Sequence, residues 1–288
     1  MRAGRADLAR TISWPAESEI HLVTVVDSTL PAYASVEPTN ITDPIERQGK
    51  LIGGLATDLE KLAETLVANG LTVESHVLVG RPATAIVEEA KVLGATLIVM
   101  GSRGHGTIAS MLLGSVSAEV ADHSPCPVLV ARRSSWSHAV LGVDGSANAE
   151  RALEVVRDWP IFTGVQVSAV SVADTGLPWT SSLALSGYPG SIDLPSTEKS
   201  IVVDHERWAT RAARTLAAVG RSSDWQAPEG HPAGELIRIA RESNTDVVVV
   251  GTRGQTGVTR LLTGSVARNV LLHSQSSVMV IRNGQSLT

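Results

Sequence analysis

The chain repeats itself, and that repeat limits its fold more than any single residue does. Residues 96–132 laid over 246–282, a shift of 150 without gaps, are identical at 14 of 37 positions. The identities are Val99, Gly101, Arg103, Gly104, Leu112, Gly114, Ser115, Val116, Val120, His123, Ser124, Val128, Val130 and Arg132, with their partners 150 residues on. Fainter similarity runs backwards from there. GRPATAIVEEA at 80–90 matches GHPAGELIRIA at 230–240, and HLVTVVD at 21–27 matches SAVSVAD at 168–174. A unit this long is a duplicated domain, not a short solenoid repeat. The 288 residues therefore divide into a first copy at 1–132 and a second at 137–288, with RSSWSH at 133–138 as the joint.

Within each copy, short apolar strands alternate with amphipathic helices, the pattern of a parallel sheet covered on both faces. In copy one the pattern predicts strands at 20–26, 71–79, 96–100 and 128–131, with helices at about 46–69, 83–93 and 115–123. In copy two it predicts strands at 139–143, 165–173, 224–228, 247–250 and 277–281, with helices at 147–158, 198–219, 233–243 and 265–273. Pro228 weakens the third of those strands and suits an edge position. The predicted fold class is α/β: two tandem copies of an open, doubly wound, five-stranded parallel sheet. The copies differ at their beginnings. Matching Trp14-Pro15 with Trp159-Pro160 sets Leu8 on Leu153 and Met1 on Ser146, so SHAVLGVDG at 137–145 has no counterpart in copy one. That segment carries the first strand and its Asp-Gly turn. A doubly wound sheet places the first strand centrally, so copy one is expected to lack its first strand and to show a gap there.

Composition removes several function classes. With 24 basic against 29 acidic side chains the net charge is -5, which argues against sequence-blind nucleic-acid binding. Aromatics at 3% argue against base-stacking platforms. A lone cysteine, Cys126, excludes an intrachain disulfide framework and multi-cysteine metal sites. There is no H-x-x-x-H spacing, no Ser-His-Asp arrangement and no paired-carboxylate motif, so no metal ligand or catalytic residue is assigned. The apolar runs at 97–100 and 247–250 are strand-sized, far short of the roughly 20 residues a spanning helix needs. MRAGRADLAR is followed by TISWPAESE, which lacks the apolar core of a signal peptide. A cytoplasmic location without membrane contact is the expectation.

The chemistry-bearing signal is a loop that occurs twice. Gly101-Ser-Arg-Gly104 is followed after nine residues by Gly114-Ser115-Val116, and Gly251-Thr-Arg-Gly254 after nine by Gly264-Ser265-Val266. Each loop leaves the carboxyl end of a buried strand and ends at a helix N-terminus. Glycines let backbone amides approach an anion, and the helix start adds unpaired N–H groups and a positive dipole end. Glycine turns and serine caps alone give a bland account of one such loop. The same spacing twice favours phosphate binding. The loop is neither a P-loop nor the dinucleotide fingerprint, since no Gly-Lys-Ser/Thr follows and no G-x-G-x-x-G follows a first strand.

The two G-x2-G-x9-G-S loops, the VMGSRG and VVGTRG strand ends, LGVDGS at 141–146 and HSPCPVLVAR at 123–132 together resemble the universal stress protein family in its tandem, ATP-binding form. The resemblance implies strand order 3-2-1-4-5, ATP as ligand with or without Mg, and pairing through the last strands. That pairing is either between the copies of one chain or between chains as a homodimer. It also implies site residues. In copy two these are Asp144 at the adenine-ribose end, Gly142, Val143, Val172 and Val250 lining the pocket, and Gly251, Gly254, Gly264, Ser265 and Val266 around ribose and phosphates. Copy one keeps Val25, Met100, Gly101, Gly104, Gly114, Ser115 and Val116 but has no equivalent of Asp144, so the second site is expected to be the more complete.

Other residues invite lesser readings. Arg103 and Arg253 either reach phosphate or sit exposed beside the loop. His123 and His273 read as helix caps, and Cys126 as a small packing residue. The long connections 28–45 and 175–197, with Tyr33, Trp179 and Tyr188, read equally as lids or as surface loops. The leading function is a cytoplasmic nucleotide-binding regulatory module of the stress-response type. The alternatives are a nucleotide-independent pairing scaffold and a slow ATP-hydrolysing enzyme.

Overall fold

The computed structural model describes residues 4–15, 17–28, 44–68, 70–102, 113–174, 194–252 and 264–282. Copy one contributes α1 (Gly4–Thr11), β1 (Glu19–Asp27), α2 (Pro44–Val67), β2 (Thr72–Gly80), α3 (Pro82–Val92), β3 (Ile98–Gly101), α4 (Ser115–His123) and β4 (Val128–Ala131). Copy two contributes β5 (His138–Gly142), α5 (Ala147–Asp158), β6 (Gln166–Val170), α6 (Leu194–Ala217), β7 (Ser223–Gln226), α7 (Pro232–Glu242), β8 (Val247–Gly251), α8 (Ser265–His273) and β9 (Ser277–Ile281). The bounds of α2 and α6, α3 and α7, and α4 and α8 are each separated by 150 residues, the shift of the sequence repeat.

Local chemistry sets these ends. Ser146 caps α5 by accepting a hydrogen bond from the Ala149 amide at 3.3 Å, the usual service of a serine N-cap. Pro82 and Pro232 open α3 and α7 in the first turn, where no intrahelical N–H is needed. Strand β6 ends at Val170, short of the expected 173, because the chain beyond it makes only a single bridge, Ala173 to Glu229. Strand β7 stops at Gln226, before Pro228, and lies at the sheet edge.

Seven strands form one sheet in the order β3-β4-β9-β8-β5-β6-β7, and β1 and β2 form a separate parallel pair. In copy two, β5 sits between β6 and β8 and pairs in parallel with both. In copy one, no strand among the described residues lies between β1 and β3, and the strands divide into β1–β2 and β3–β4. Pairing is parallel everywhere except between β4 and β9, where Leu129 faces Met279 and Val128 faces Val280. Leu129 and Met279 are the same position of the two copies, so a local two-fold axis passes through that pair. Arginines at equivalent positions reach across it. Arg132 donates to the carbonyl of Leu271 in α8, and Arg282 to that of Asp122 in α4. Each places a cation at the C-terminal end of the other copy's helix, where the dipole favours it.

The central strands are buried on both faces and alternate between two cores. Leu129, Ala131, Leu141, Val247, Val249, Met279 and Ile281 face one, with Leu8 of α1, Ile12 just beyond it and the inner side of α5 and α6. Val128, Val130, Val140, Val248, Val250, Val278 and Val280 face the other, beneath α3, α4, α7 and α8. Both cores therefore run continuously through the β4–β9 seam. Complete burial of each such side chain contributes about 1.5–3 kcal/mol, which ties the stability of the two copies together.

The joint between the copies is anchored. Trp136 packs at 5.5 Å from the ring of Phe162 and donates its Nε1 proton to the carbonyl of Ile161 at 2.7 Å. Asp246, 4% exposed, sits where its carboxylate accepts from the Ser137 amide at 2.8 Å, the Ser137 hydroxyl at 2.8 Å, the His138 amide at 3.0 Å and the Ser135 hydroxyl. Burial works to raise its pKa, but the hydrogen bonds from Ser135, Ser137 and His138 outweigh it and hold the carboxyl below its ordinary value.

Candidate functional site

The carboxyl ends of β5, β6 and β8 converge in copy two, the edge at which open α/β sheets collect ligands. Gly142 and Val250 touch across β5 and β8. A Cβ on Gly142 would stand 3.3 Å from Val250 Cγ1 and 3.3 Å from Leu236 Cδ1. Val143 follows, 7% exposed, and its amide donates to the Val170 carbonyl at 2.9 Å. Val172 and Val250 are buried nearby in the same core. Asp144, half-buried, accepts from the Ser146 amide at 3.0 Å and so closes the turn that starts α5. Gly145 completes that turn at φ +74, a conformation suited to glycine.

The next chain segment explains why glycine is needed twice. A Cβ on Gly145 would meet Trp208 Cε2 at 2.5 Å, because the indole of α6 lies against the turn. His205, one turn earlier on α6, packs edge-on to Trp208 at 4.7 Å, and its Nδ1 lies 2.8 Å from the Ser171 hydroxyl. Burial depresses the His205 pKa, and the negative fields of Asp144, Asp204 and Asp174 offset only part of this. At the shift of 150, copy one has Leu55 and Asp58 in place of His205 and Trp208. Gly251 is tighter still. A Cβ there would lie 2.7 Å from the backbone carbon of Asn148 and 2.8 Å from its oxygen.

The described parts of the two glycine loops share one device. Strand β8 runs into Thr252, whose amide donates to Ile281 at 2.7 Å, and the Thr252 carbonyl accepts from the Gly264 amide. In copy one Ser102 donates to Ala131 at 3.3 Å and accepts from Gly114 at 2.7 Å. The strand end thus fastens directly to the helix start in both copies. Gly114 and Gly264 stand at the N-cap with extended backbones and no side-chain cap, and Ser115 and Ser265 are exposed at the first helical position. Among the described residues no side chain caps the first amides of α4 and α8. One difference lies just inside. Ser117 donates its hydroxyl to the Gly101 carbonyl at 2.8 Å, whereas copy two has Ala267 there.

The structure brings Gly142, Val143, Asp144, Val172, Val250, Gly251, Gly264, Ser265 and Val266 to the carboxyl-side edge of copy two, and Met100, Gly101, Gly114, Ser115 and Val116 to the corresponding edge of copy one. Val25 lies in β1, in the separate sheet. Gly104, Gly254, Arg103 and Arg253 lie outside the described residues, as do Tyr33, Trp179, Tyr188 and nearly all of the connections at 28–45 and 175–197. His123 and His273 each place Nδ1 within 3.0 Å of the carbonyl four residues back, Glu119 and Asn269, which is a helix-end role. Cys126 is buried, and burial pushes its thiol pKa up against smaller lowering by the Ser124 hydroxyl and the Ile98 backbone, so it packs rather than reacts. Sequence reasoning gave no part to Trp208, His205, Arg132, Arg282 or Asp246. The recurrence of Arg132 at 282 was the one signal available for any of them.

Two α/β units of parallel strands, each with a glycine-bounded helix start before its last strand, define a tandem protein of a single repeated domain. A model of the universal stress protein family matches residues 9–132 and again 136–282, and the chain belongs to that family. A universal stress protein of Mycobacterium bovis is 28% identical over 272 residues, covering 91% of this chain and 86% of its own. One from Mycobacterium tuberculosis is 29% identical over 254 residues, covering 81% and 76%. A universal stress protein structure from Archaeoglobus fulgidus superposes with TM-score 0.64 at 20% identity, over 97% of this chain and 91% of that one, which speaks to fold alone. No described helix is long and apolar enough to cross a membrane.

Proposed function

We propose that this chain is an ATP-binding regulatory protein of the stress-response type, acting in the cytoplasm, and that its second copy holds the nucleotide. The observation that carries the reading is the fastened strand end and uncapped helix start, Thr252 to Gly264, beside the Asp144 turn. Backbone amides at Ser265 and Val266 supply donors for phosphate, while the Gly264 amide is held by the Thr252 carbonyl. Asp144 supplies an acceptor for ribose hydroxyls, and the valines offer an apolar seat for adenine. Any Mg would be carried by the phosphates. Copy one has the same helix start but lacks the Asp144 turn, so it binds more weakly. Asp144, the carboxylate beside the cradle, is engaged by the Ser146 amide and assigned to ribose, so hydrolysis would be slow at most. The copies pair with each other through β4 and β9, and a homodimer of chains would need a different surface. That continuous seam is also the observation favouring a second reading, a pairing scaffold that needs no nucleotide.

Gly264→Asp and Gly114→Asp separate these readings. Aspartate is a good N-cap, so the helix is retained while its carboxylate repels phosphate. Calorimetric titration is expected to show ATP affinity falling at least about tenfold, equal to about 1.4 kcal/mol, in Gly264→Asp and little changed in Gly114→Asp. Equal losses would remove the asymmetry, and absence of ATP binding in the unmodified chain would leave the scaffold.

A further inference from the structure

The separate sheet of copy one carries a side-chain cluster that the nucleotide reading does not use. Strands β1 and β2 pair with His21 opposite Glu74 and Val23 opposite His76, so His21, Glu74 and His76 share one face, beneath α3. His21 Nδ1 lies 3.1 Å from His76 Nε2, and Glu74 Oε2 lies 3.6 Å from the first and 3.8 Å from the second. Four-coordinate zinc, with bonds of about 2.0–2.2 Å, separates its ligand atoms by about 3.3–3.6 Å. The triangle's sides, 3.1, 3.6 and 3.8 Å, bracket that range, so small side-chain shifts would bring all three atoms onto one ion. Glu89 of α3 completes the arrangement from behind, its Oε1 3.2 Å from His76 Nδ1. With its proton on Nδ1, His76 would donate to Glu89 and turn the Nε2 lone pair to the cluster, the arrangement in which a carboxylate orients a metal-bound imidazole.

Copy two provides the internal comparison. Its strands pair in the same register, Ser168 opposite Asp224 and Val170 opposite Gln226. The four positions are therefore Ser168, Asp224, Gln226 and, at the shift of 150, Ile239. None of the nitrogen ligands is present there. Val140 of β5 lies beside Ser168, whereas among the described residues no strand lies beside His21. Glu74 is mostly exposed while His21, His76 and Glu89 are about four-fifths covered, a lining open on one side.

We propose that His21, His76 and Glu74 form a zinc site in copy one, with water as the fourth ligand and Glu89 as the positioning residue behind His76. The ion takes the place of the hydrogen bond between the two imidazoles, the His21 proton shifting through solvent from Nδ1 to Nε2 on the Glu19 side, and clips β1 to β2. Through Glu89 it also clips the pair to α3. It thereby stabilises the two-stranded sheet, which pairs with no other described strand.

The test uses the full chain, stripped with a chelator and titrated with zinc chloride against a chromogenic competitor. The result expected is one zinc per chain, a visible cobalt spectrum of four-coordinate type on substitution, and a rise in the melting temperature of the zinc-loaded protein. His21→Ser and His76→Gln introduce the residues copy two carries, and each is expected to weaken zinc by about 100-fold or more with the circular dichroism unchanged. Glu89→Gln should weaken it by about tenfold. Rescue of the site by His76→Cys, with a shifted cobalt spectrum, would place the ion at that residue. Absence of stoichiometric zinc, or binding indifferent to His21→Ser and His76→Gln, overturns the proposal. ATP titration of the same variants is expected to be unchanged, which keeps this result separate from the nucleotide reading.

Discussion

Asp246→Ala is expected to lower the stability of the chain by roughly 3–5 kcal/mol, the scale of a broken buried network. The carboxylate is the common acceptor for Ser135, Ser137 and the amide of His138, three residues of the joint that leads into β5. Without it, two backbone N–H groups at the start of the central strand lose their partner, and alanine supplies none. Because β5 pairs with both β6 and β8, the defect reaches the whole of copy two and, through the β4–β9 seam, copy one. Denaturant unfolding would measure the loss, and a change within about 0.5 kcal/mol, the range of ordinary surface substitutions, would contradict the account. The same group gives a pH dependence with a definite sign. Its folded pKa lies below the ordinary carboxylate value, so the stability it contributes is full above the unfolded value of about 3.9 and is lost as pH falls through the folded value. Asp246→Asn should flatten that acid limb of the stability curve.

Gly251→Ala is expected to damage both stability and nucleotide binding. The added methyl would lie 2.7 Å from the backbone carbon of Asn148, and backbone cannot swing aside as a flexible side chain can. Either β8 or the first turn of α5 must move, at a cost of about 1–3 kcal/mol. Both carry the site. Strand β8 delivers Thr252 to Gly264, and α5 is fixed to the Asp144 turn through Ser146. ATP affinity should therefore fall in a protein that remains folded. Thermal unfolding with and without ATP separates the two effects, since a ligand at about 100 times its Kd adds about 2.7 kcal/mol to a competent site. A variant whose ATP-dependent shift equals that of the parent would show that this contact does not shape the site.

Much of the fold was legible because it is carried by local, periodic signals. Val247 to Val250 could only be a strand buried on both faces, and Pro82 and Pro232 announced the helices they open. The bounds of α4 and α8 followed from Gly-Ser starts and histidine ends. The end of β6 was not legible, since the apolar alternation continues through Val172 and Ala173 while the ladder gives way to the single bridge from Ala173 to Glu229. Sites built from distant positions left no trace in spacing. Asp246 meets Ser137 across 109 residues and His21 meets His76 across 55, and neither separation matches a motif. Trp208 carries no motif in the sequence. Its role depends on Gly145, whose missing Cβ makes room for the indole. The glycines of the repeated loops were visible as residues, but the reason for Gly251 in particular is the backbone of Asn148.

The central claim is that copy two, with its Asp144 turn and fastened Gly264 helix start, holds an adenine nucleotide and that copy one holds it less well. Mass spectrometry of the small molecule released from the purified full chain, counted per chain, tests this most directly. The account predicts ATP at about a single equivalent per chain, lost in Gly264→Asp and kept in Gly114→Asp. A ligand of another chemical class, or a chain that releases none and takes up no added ATP, would contradict it.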